Sequence, residues 1–428
     1  MTREHLRATV REISDRIVAA QKRIRILDAV KWDDTVRESF FARRFEAQPA
    51  VDREYYARQP LGYDPDDARA MFRAIERDID DRLGGEHAAA RLMKRMCAEY
   101  EIVLDMLAAR GTRDFARFSR ELYGASTDAF HPGEPSVWDM AEMLDRSLSN
   151  IAESAFLDEE KYDIPTDVAV TRLQARLDTV FSEPAERVRV TVSDGIIADA
   201  AAGSDYIKLR KDAWFSERDL RIMEVHEGWV HAGTTLNGRA QPVCTFLGKG
   251  TPSTTITQEG LALFVEVITF NSHPARLRRV TDRTRAIRMA EQGATFLDVF
   301  RLFRGEGRTP EEAYATCTRA FRGSTPVLGP FTKDLSYSKG FVLIFNFIRL
   351  AVRRGRLDRI PLLFCGKLML NEVGALAELV QEGMVIRPRF LPPFLTDMSA
   401  LTAFMAYSSF FNRLDLETVE ADFAPLLS

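Results

Sequence analysis

The chain has 428 residues, of which 46% are hydrophobic and 29% are charged, and its formal net charge is −4. This length is sufficient for a large core and for two or more packed subdomains, and the composition is that of a globular protein. The slight acidic surplus argues against a nucleic-acid partner, because nucleic-acid binding needs a basic patch or stripe.

The first part of the chain is predicted to be helical. Residues 3–45 and 65–125 carry apolar residues at helical spacing and are rich in Ala, Arg, Glu and Leu. The N-terminal segment is charged and has no apolar h-region, so we expect no signal peptide. We therefore predict a helical N-terminal subdomain over residues 1–165, with a Pro- and Gly-containing loop at 126–140.

The character of the sequence changes near Pro165. Residues 187–216 alternate between apolar and polar types and include β-branched residues, a pattern that predicts two or three short strands. The last of these strands is expected over 205–209. Helical periodicity resumes at Ser216, where the sequence Ser-Glu-Arg-Asp is typical of a helix cap.

Helices are predicted for most of the remaining chain. One is expected over 257–270, beginning at Thr257, and residues 280–428 are mostly helical in pattern. The most apolar run, 340–352, contains Asn and Arg and is too short by itself to span a bilayer. We therefore expect no membrane partner.

The cysteines are spread along the chain and form no Cys-x-x-Cys pair. They are Cys97, Cys244, Cys317 and Cys365. This spacing argues against a cysteine zinc site and against a disulfide framework, and it suits a reducing compartment. We therefore expect a cytoplasmic protein.

Two histidines with a glutamate between them mark the first candidate site. His226 and His231 are five residues apart, one more than in the His-Glu-x-x-His helix of many zinc peptidases. Five residues of an ideal α-helix turn a side chain by about 140°, which would point one histidine away from a shared ligand. A π-bulge brings such a pair to one side, and these bulges are frequent at functional sites. Gly228 lies in the spacer, where it would tolerate unusual dihedral angles.

Glu259 completes a candidate set of three ligands. Two imidazoles and one carboxylate suit zinc and leave one coordination position open for water. Glu227, next to the first histidine, could then act as the general base. A His-acid-x-x-x-His pattern is expected by accident in about one chain in a hundred of this composition. The alternative, two unrelated histidines on an amphipathic helix, is therefore less favoured.

These residues resemble the microtubule-associated tyrosine carboxypeptidase family, whose bacterial relatives carry a Gln-Glu-Gly-Leu-Ala motif. The specific segments are "HEGWVH" at 226–231 and "TQEGLALF" at 257–264, and the resemblance spans most of the chain. Further similar segments lie at 60–65, 109–124, 319–323 and 331–340. Characterised eukaryotic members remove a C-terminal tyrosine from tubulin, but only the reaction class is carried over here.

The resemblance implies a zinc metallopeptidase in which His226, His231 and Glu259 bind one Zn²⁺ per chain and Glu227 is catalytic. The expected fold class is α+β, mainly helical, with a zincin-like core in residues 166–428. That core would contain a small antiparallel or mixed sheet, the histidine helix and a second ligand helix. The expected substrate is a peptide or protein C-terminus, and the sequence does not indicate an oligomeric state.

Four further residues and one strand are candidates for contacts with the substrate. Tyr337 could donate a hydrogen bond to the oxyanion, or it could be a packed core tyrosine. A carboxypeptidase needs a cation for the free carboxylate, and Arg322, Arg319 or Lys333 could supply it unless each is a surface salt bridge. The strand at 205–209 is predicted to be an edge to which a peptide could add.

Alternative readings of the site remain open. The segment 247–255 lacks the spacing of a phosphate loop and lies between the two ligand helices, so it is predicted to gate the substrate. The protein could instead be a zinc amidase or endopeptidase, or a non-catalytic metal-binding regulatory protein. Glu227 argues against the last alternative, because a structural metal site needs no base beside its ligand.

Overall fold

The protein is mainly helical, with small sheets near the middle of the chain. The computed structural model describes residues 2–151, 160–194, 196, 199–203 and 205–427. Within this described part, the strands lie between residues 164 and 215, and helices make up most of the rest. This arrangement confirms the predicted mainly helical α+β class, while the zincin-like character of the core stays a prediction.

Several helices of the first part begin at side-chain caps. The helices are α1 (Arg3–Gln21), α2 (Ile26–Ala29), α3 (Asp34–Ala42), α4 (Arg53–Ala57), α5 (Pro65–Leu83), α6 (Ala88–Ala108), α7 (Arg113–Tyr123), α8 (Val137–Ile151) and α9 (Thr166–Asp178). The side chains of Thr2, Asp33, Asp52 and Asp64 each accept a backbone N–H bond in the first turn that follows. Such caps satisfy donors that a helix start would otherwise leave unpaired.

The helices of the second part follow the strands. They are α10 (Glu217–Met223), α11 (Gly233–Arg239), α12 (Pro252–Ile268), α13 (Pro274–Glu291), α14 (Phe296–Gly305), α15 (Pro310–Phe321), α16 (Leu335–Arg353), α17 (Val373–Gln381), α18 (Pro393–Thr396), α19 (Ser399–Phe411) and α20 (Leu416–Leu427). The predicted helix start at Ser216 is confirmed, because Ser216 and Asp219 form a reciprocal capping box for α10.

The predicted start of α12 at Thr257 is wrong. The helix begins at Pro252, preceded by Thr251 in an extended conformation. Proline is well suited to the first turn of a helix, where no N–H partner is required. The predicted loop at 247–255 is therefore largely regular, since Thr245–Gly248 forms a 3-10 turn and Pro252 already belongs to α12.

The strands form two small sheets. β1 (Ile164–Pro165) pairs antiparallel with β5 (Trp214–Phe215). β2 (Arg189–Ser193), β3 (Ala200–Ala202) and β4 (Tyr206–Arg210) form a sheet with the order β2–β4–β3. β2 is parallel to β4 and β3 is antiparallel to it, so the sheet is mixed. Residues 195, 197, 198 and 204 of the segment predicted to hold strands lie outside the described residues.

One apolar core joins the N-terminal helices to the helices that follow the sheet. Ile17 of α1 and Leu104 of α6 belong to the same buried cluster as Phe264 of α12 and Ile348 of α16. The core therefore continues across the predicted subdomain boundary at residue 165. The division into two subdomains at residue 165 stays a prediction.

Helices α12 and α16 cross closely at two glycines. A Cβ atom on Gly260 would lie 2.1 Å from the carbonyl carbon of Gly340, and one on Gly340 would lie 2.0 Å from the carbonyl oxygen of Ile256. Real Cβ atoms do not approach backbone this closely, so the crossing requires glycine on both helices. The contact holds Glu259, on α12, against the start of α16.

The segment Thr332–Arg353, which includes α16, is long and apolar enough to cross a membrane by length and composition. Residues 340–352 alone were expected to be too short to span a bilayer, and this expectation does not hold for the whole helix. However, 44% of its most apolar stretch is buried inside the protein, and Ile344 and Ile348 belong to the shared core. A buried core helix passes the same test, so this helix is weak support for a membrane span.

Candidate metal centre and active site

A π-helix brings the two histidines to one side. Glu224–Ala232 has π geometry and lies between α10 and α11. The ring centroids of His226 and His231 are 4.8 Å apart. The locally widened helix expected from the five-residue spacing is therefore confirmed, and it replaces the divergence of about 140° that an α-helix would impose.

Gly228 lies where the π-helix and α9 approach each other closely. Its φ angle is not positive, so the conformation does not itself require glycine. A Cβ atom at this position would instead lie 2.6 Å from Cδ2 of Leu177. The close approach of α9 is therefore a second feature that favours a small residue here, and the tolerance of unusual dihedral angles stays a prediction.

Glu259 lies between the two histidines. Its Oε2 atom is 3.5 Å from Nε2 of His226 and 3.4 Å from Nε2 of His231. Ligand atoms of the three residues all lie within 4.8 Å of one another. Helix α12 supplies the carboxylate.

The donor set fits a tetrahedral metal ion. Bonds of about 2.1 Å to zinc place neighbouring tetrahedral ligand atoms about 3.4 Å apart, which agrees with the two distances to Glu259. The Oε2 atom is also buried without a hydrogen-bond partner among the described residues. A buried carboxylate oxygen is normally paired, so this atom is suited to a cation held with the two imidazoles.

Behind His226 lies a buried pair that the sequence reading missed. Nδ1 of His226 is 2.5 Å from Oε1 of Glu266. The Glu266 carboxylate also accepts two hydrogen bonds from Arg276, at 3.0 and 2.8 Å. Burial favours the neutral acid, but Arg276 and His226 hold the pKa of Glu266 far below its ordinary value. A carboxylate that fixes the second ring nitrogen of a ligand histidine is common in metal sites.

The electrostatics of the ligand atoms also depend on Lys333. Its Nζ atom is 3.3 Å from Oε1 of Glu259. Burial opposes the charge of Glu259, but Lys333 and then the two histidines hold its pKa well below the ordinary value. Burial likewise opposes protonation of His226, yet Glu259 and Glu266 raise the pKa of its imidazole well above 6.5. The charges are thus strongly coupled.

Glu227 is held next to the donor set by the sheet. Its Oε2 atom accepts a hydrogen bond of 3.0 Å from the backbone N–H of Ala202 in β3. Its Oε1 atom is 3.9 Å from Nε2 of His226. One carboxylate oxygen is therefore fixed by the backbone, and the other lies beside the ligand atoms.

The sheet edge near this site is not the strand predicted from sequence. Residues 206–209 of the predicted strand fall in β4, which has β2 on one side and β3 on the other. The edge expectation for this strand is therefore wrong, because both of its sides are already paired. Among the described residues, β3 is the strand at the edge that contacts the π-helix.

Tyr337 lies beside the metal ligands. Its ring centroid is 6.4 Å from that of His226, and the two rings are nearly parallel at 24°. The guanidinium carbon of Arg283 lies 4.8 Å from the Tyr337 ring centroid, and Nζ of Lys333 lies 5.9 Å from it. The structure thus brings Tyr337 and Lys333 to the donor set.

Arg319 and Arg322 lie in an adjoining buried cluster. The Nε atom of Arg319 donates to Oδ2 of Asp334 at 2.5 Å. The guanidinium carbon of Arg322 is 5.6 Å from the ring centroid of Phe331. Arg322 is 7% exposed and Asp334 is 2% exposed. Neither arginine is therefore the surface salt bridge considered as the alternative.

Comparison with known protein families finds a match over most of the chain. The family model described as microtubule-associated tyrosine carboxypeptidase matches residues 38–413. This range includes the π-helix, α12, α16 and the buried arginines. No curated protein matches the chain at a significant level.

Proposed function

The chain belongs to the microtubule-associated tyrosine carboxypeptidase family, and from this we propose that it is a zinc-dependent metallocarboxypeptidase. Membership implies a carboxypeptidase-type enzyme that acts on the C-terminus of a protein. The finer proposal is that His226, His231 and Glu259 hold one Zn²⁺ per chain. It is carried by a single observation, the spacing of 3.4 and 3.5 Å between Glu259 and the two imidazole Nε2 atoms.

When bound, zinc would lower the pKa of a water molecule toward neutrality and polarise the scissile carbonyl. Glu227 is the proposed general base. Its Oε2 atom is held by the N–H of Ala202, which leaves Oε1 beside His226 to accept the proton of the attacking water. The same carboxyl group then passes that proton to the leaving amine.

Other side chains are proposed to position the reaction. Glu266, itself held by Arg276, fixes the ring of His226 through Nδ1. The phenol of Tyr337, whose ring lies against that of His226, would donate a hydrogen bond to the oxyanion. The contacts support both roles: Glu266 would orient a metal ligand, and Tyr337 would stabilise the negative charge that develops on the oxygen.

The first test is the pair of variants Glu227→Gln and Glu259→Ala. We expect Glu227→Gln to lower the turnover of peptides by at least about 100-fold, because the base is lost, while zinc stays bound. We expect Glu259→Ala to lose the metal. Metal content would be measured by atomic emission, and a mixed peptide pool would be followed by mass spectrometry.

The same peptide pool separates the alternatives. Removal of single C-terminal residues, absent in Glu227→Gln, would support the carboxypeptidase. Internal cleavage, or equal cleavage of peptides with an amidated C-terminus, would favour an endopeptidase or amidase. Intact peptides in every sample, with zinc bound, would favour a regulatory metal protein.

A further inference from the structure

A buried group of positive charges lies next to Tyr337. We call it the arginine pocket and define it by Arg283 of α13, Arg319 of α15, Arg322 directly after α15, and Asp334 directly before α16. Nε of Arg283 is 3.8 Å from Oδ2 of Asp334, and Nε of Arg319 donates to the same oxygen. Two guanidinium groups therefore contact this carboxylate, and the positive charge of Arg322 also lowers the pKa of Asp334.

No other acid near the pocket compensates for this surplus among the described residues. Lys333 brings a further positive charge, but Lys333 is paired with Glu259. Arg276 is paired with Glu266. Two positive charges of the pocket therefore have no buried counter-charge, and an unpaired buried charge is costly.

Several buried polar atoms of the pocket also have no partner in the described structure. They include Nη1 of Arg283, Nε of Arg322 and Oδ1 of Asp334, and the hydroxyl oxygens of Ser324, Thr325 and Ser336. Buried polar groups in proteins are nearly always hydrogen-bonded. Of these atoms the two guanidinium nitrogens can only donate, so the unpaired N–H groups of Arg283 and Arg322 indicate a place for a ligand that accepts hydrogen bonds.

The electrostatic environment favours a negatively charged ligand. Burial, followed by the charge of Arg319, lowers the pKa of Arg283 to about 10 and that of Arg322 to about 10. A carboxylate in the pocket would relieve both effects, because it adds a negative charge and accepts N–H bonds in pairs.

The arginine pocket adjoins the donor set through the ring of Tyr337. The free carboxylate of a peptide is about 4 Å from the last peptide carbonyl, which is the distance between neighbouring residues. Arg283 contacts the ring of Tyr337, and this same ring lies against the metal ligand His226. One side chain, that of Tyr337, thus separates the guanidinium group of Arg283 from the donor set.

We propose that Arg283 and Arg322 bind the free carboxylate at the C-terminus of the substrate. Arg319 is paired with Asp334, and Lys333 is paired with Glu259. These two cations therefore stabilise the arginine pocket and the metal ligands, respectively, and are not assigned to the substrate. The proposal rests on the proposed carboxypeptidase function and adds the group by which the enzyme recognises a chain end.

The test compares a peptide with its C-terminal amide. In the wild-type enzyme we expect kcat/KM to be at least about 100-fold higher for the free acid. In Arg283→Gln and Arg322→Gln we expect this preference to fall at least tenfold, through a higher KM for the acid, while amide cleavage changes little. Arg301→Gln, an exposed arginine of α14, is the matched control and should keep the full preference.

Lysine variants and a binding assay address folding. Arg283→Lys and Arg322→Lys retain the charge but lose the paired donors, so an intermediate preference is expected. In the Glu227→Gln background, the affinities for acid and amide are measured directly by calorimetry. Folded arginine variants that keep the full acid preference would overturn the proposal, and so would an equal loss of affinity for acid and amide.

The failure of the two proposals would look different. Wild-type protein that removes no C-terminal residue, from any peptide in the pool, would refute the carboxypeptidase itself. The other case is a wild-type protein that removes C-terminal residues and prefers the free acid. If this preference were lost in Lys333→Gln and kept in the two arginine variants, only the assignment of Arg283 and Arg322 would be refuted.

Discussion

Glu259 and Glu266 are two turns apart on α12 and serve the same histidine from opposite sides. Residues seven positions apart lie on one helix face, so both carboxylates point toward the π-helix. Glu259 approaches Nε2 of His226, and Glu266 approaches Nδ1. The orientation of this ring is therefore set by a single helix.

We predict that Glu266→Gln lowers zinc affinity by about 10–100-fold, because the negative charge that orients His226 is lost. The variant also leaves Arg276 buried without its partner, at a cost of about 3–5 kcal/mol in the free energy of unfolding. Zinc affinity would be measured by competition with a chromophoric chelator, and stability by thermal unfolding.

The double variant Glu266→Gln/Arg276→Gln is the control for that loss of stability. It removes both buried charges, so we expect much of the stability to return while zinc affinity stays low. Wild-type zinc affinity in both variants would show that Glu266 does not support the metal site.

At the scale of residues, motif spacing was sufficient to predict only part of the site. The sequence was sufficient to predict four site residues, because their types and spacing are those that a metal ion and its general base require. These residues are His226, Glu227, His231 and Glu259. Arg283 could not be predicted, since it belongs to a helix with many arginines that reads as a solvated face. Its burial depends on α15 and α16, which the local sequence does not reveal.

At the scale of elements, the crossing of α12 and α16 is the contact that unites the site. The glycines at this crossing let the two backbones touch, with Glu259 next to Gly260 on one helix and Tyr337 one turn before Gly340 on the other. Any added side chain would move the metal ligand away from the proposed oxyanion donor.

We therefore predict that Gly260→Ala lowers the free energy of unfolding by about 1–3 kcal/mol or more, because the methyl group would overlap the backbone of α16. Peptide hydrolysis should fall with it. The measurements are the urea midpoint of unfolding and kcat/KM.

Gly374→Ala, in α17, is the matched control. No atom lies within 4 Å of its Cβ position, so the substitution should be neutral or stabilise the helix by up to about 1 kcal/mol. If Gly260→Ala proved as stable and as active as Gly374→Ala, the close crossing would not be required.

Elements were predictable where the sequence carries a local signal. The π-helix followed from the histidine spacing and the start of α10 from its capping box. The identity of the edge strand did not follow, because β4 is paired on both sides by strands whose order depends on contacts distant in sequence. The start of α12 had a signal, Thr251 followed by Pro252, but the neighbouring glycines suggested a loop.

At the scale of the molecule, the shared core predicts cooperative unfolding. Helices α1 and α6 are buried in the same cluster as α12 and α16, so loss of the N-terminal helices would expose the apolar side of the site helices. We expect a single calorimetric transition, with a ratio of calorimetric to van't Hoff enthalpy near one.

The measurement would be made with zinc and with a chelator. Binding of zinc to the native state should raise the transition temperature without dividing the transition. Two resolved transitions, the first of which melts only the helices before residue 165, would instead show that the predicted N-terminal subdomain is an independent unit.

The π-helix also affects the direction in which the side chains of the following helix point. One residue added to an α-helix rotates everything after it by about 100°, and the wide turn absorbs that rotation between α10 and α11. Asn237 on α11 thereby reaches the carbonyl oxygens of Phe364 and Phe390, which anchor distant loops. The one extra residue between the histidines thus keeps both the histidines and the following helix in register. Patterns written for the shorter spacing will pass over proteins built in this way.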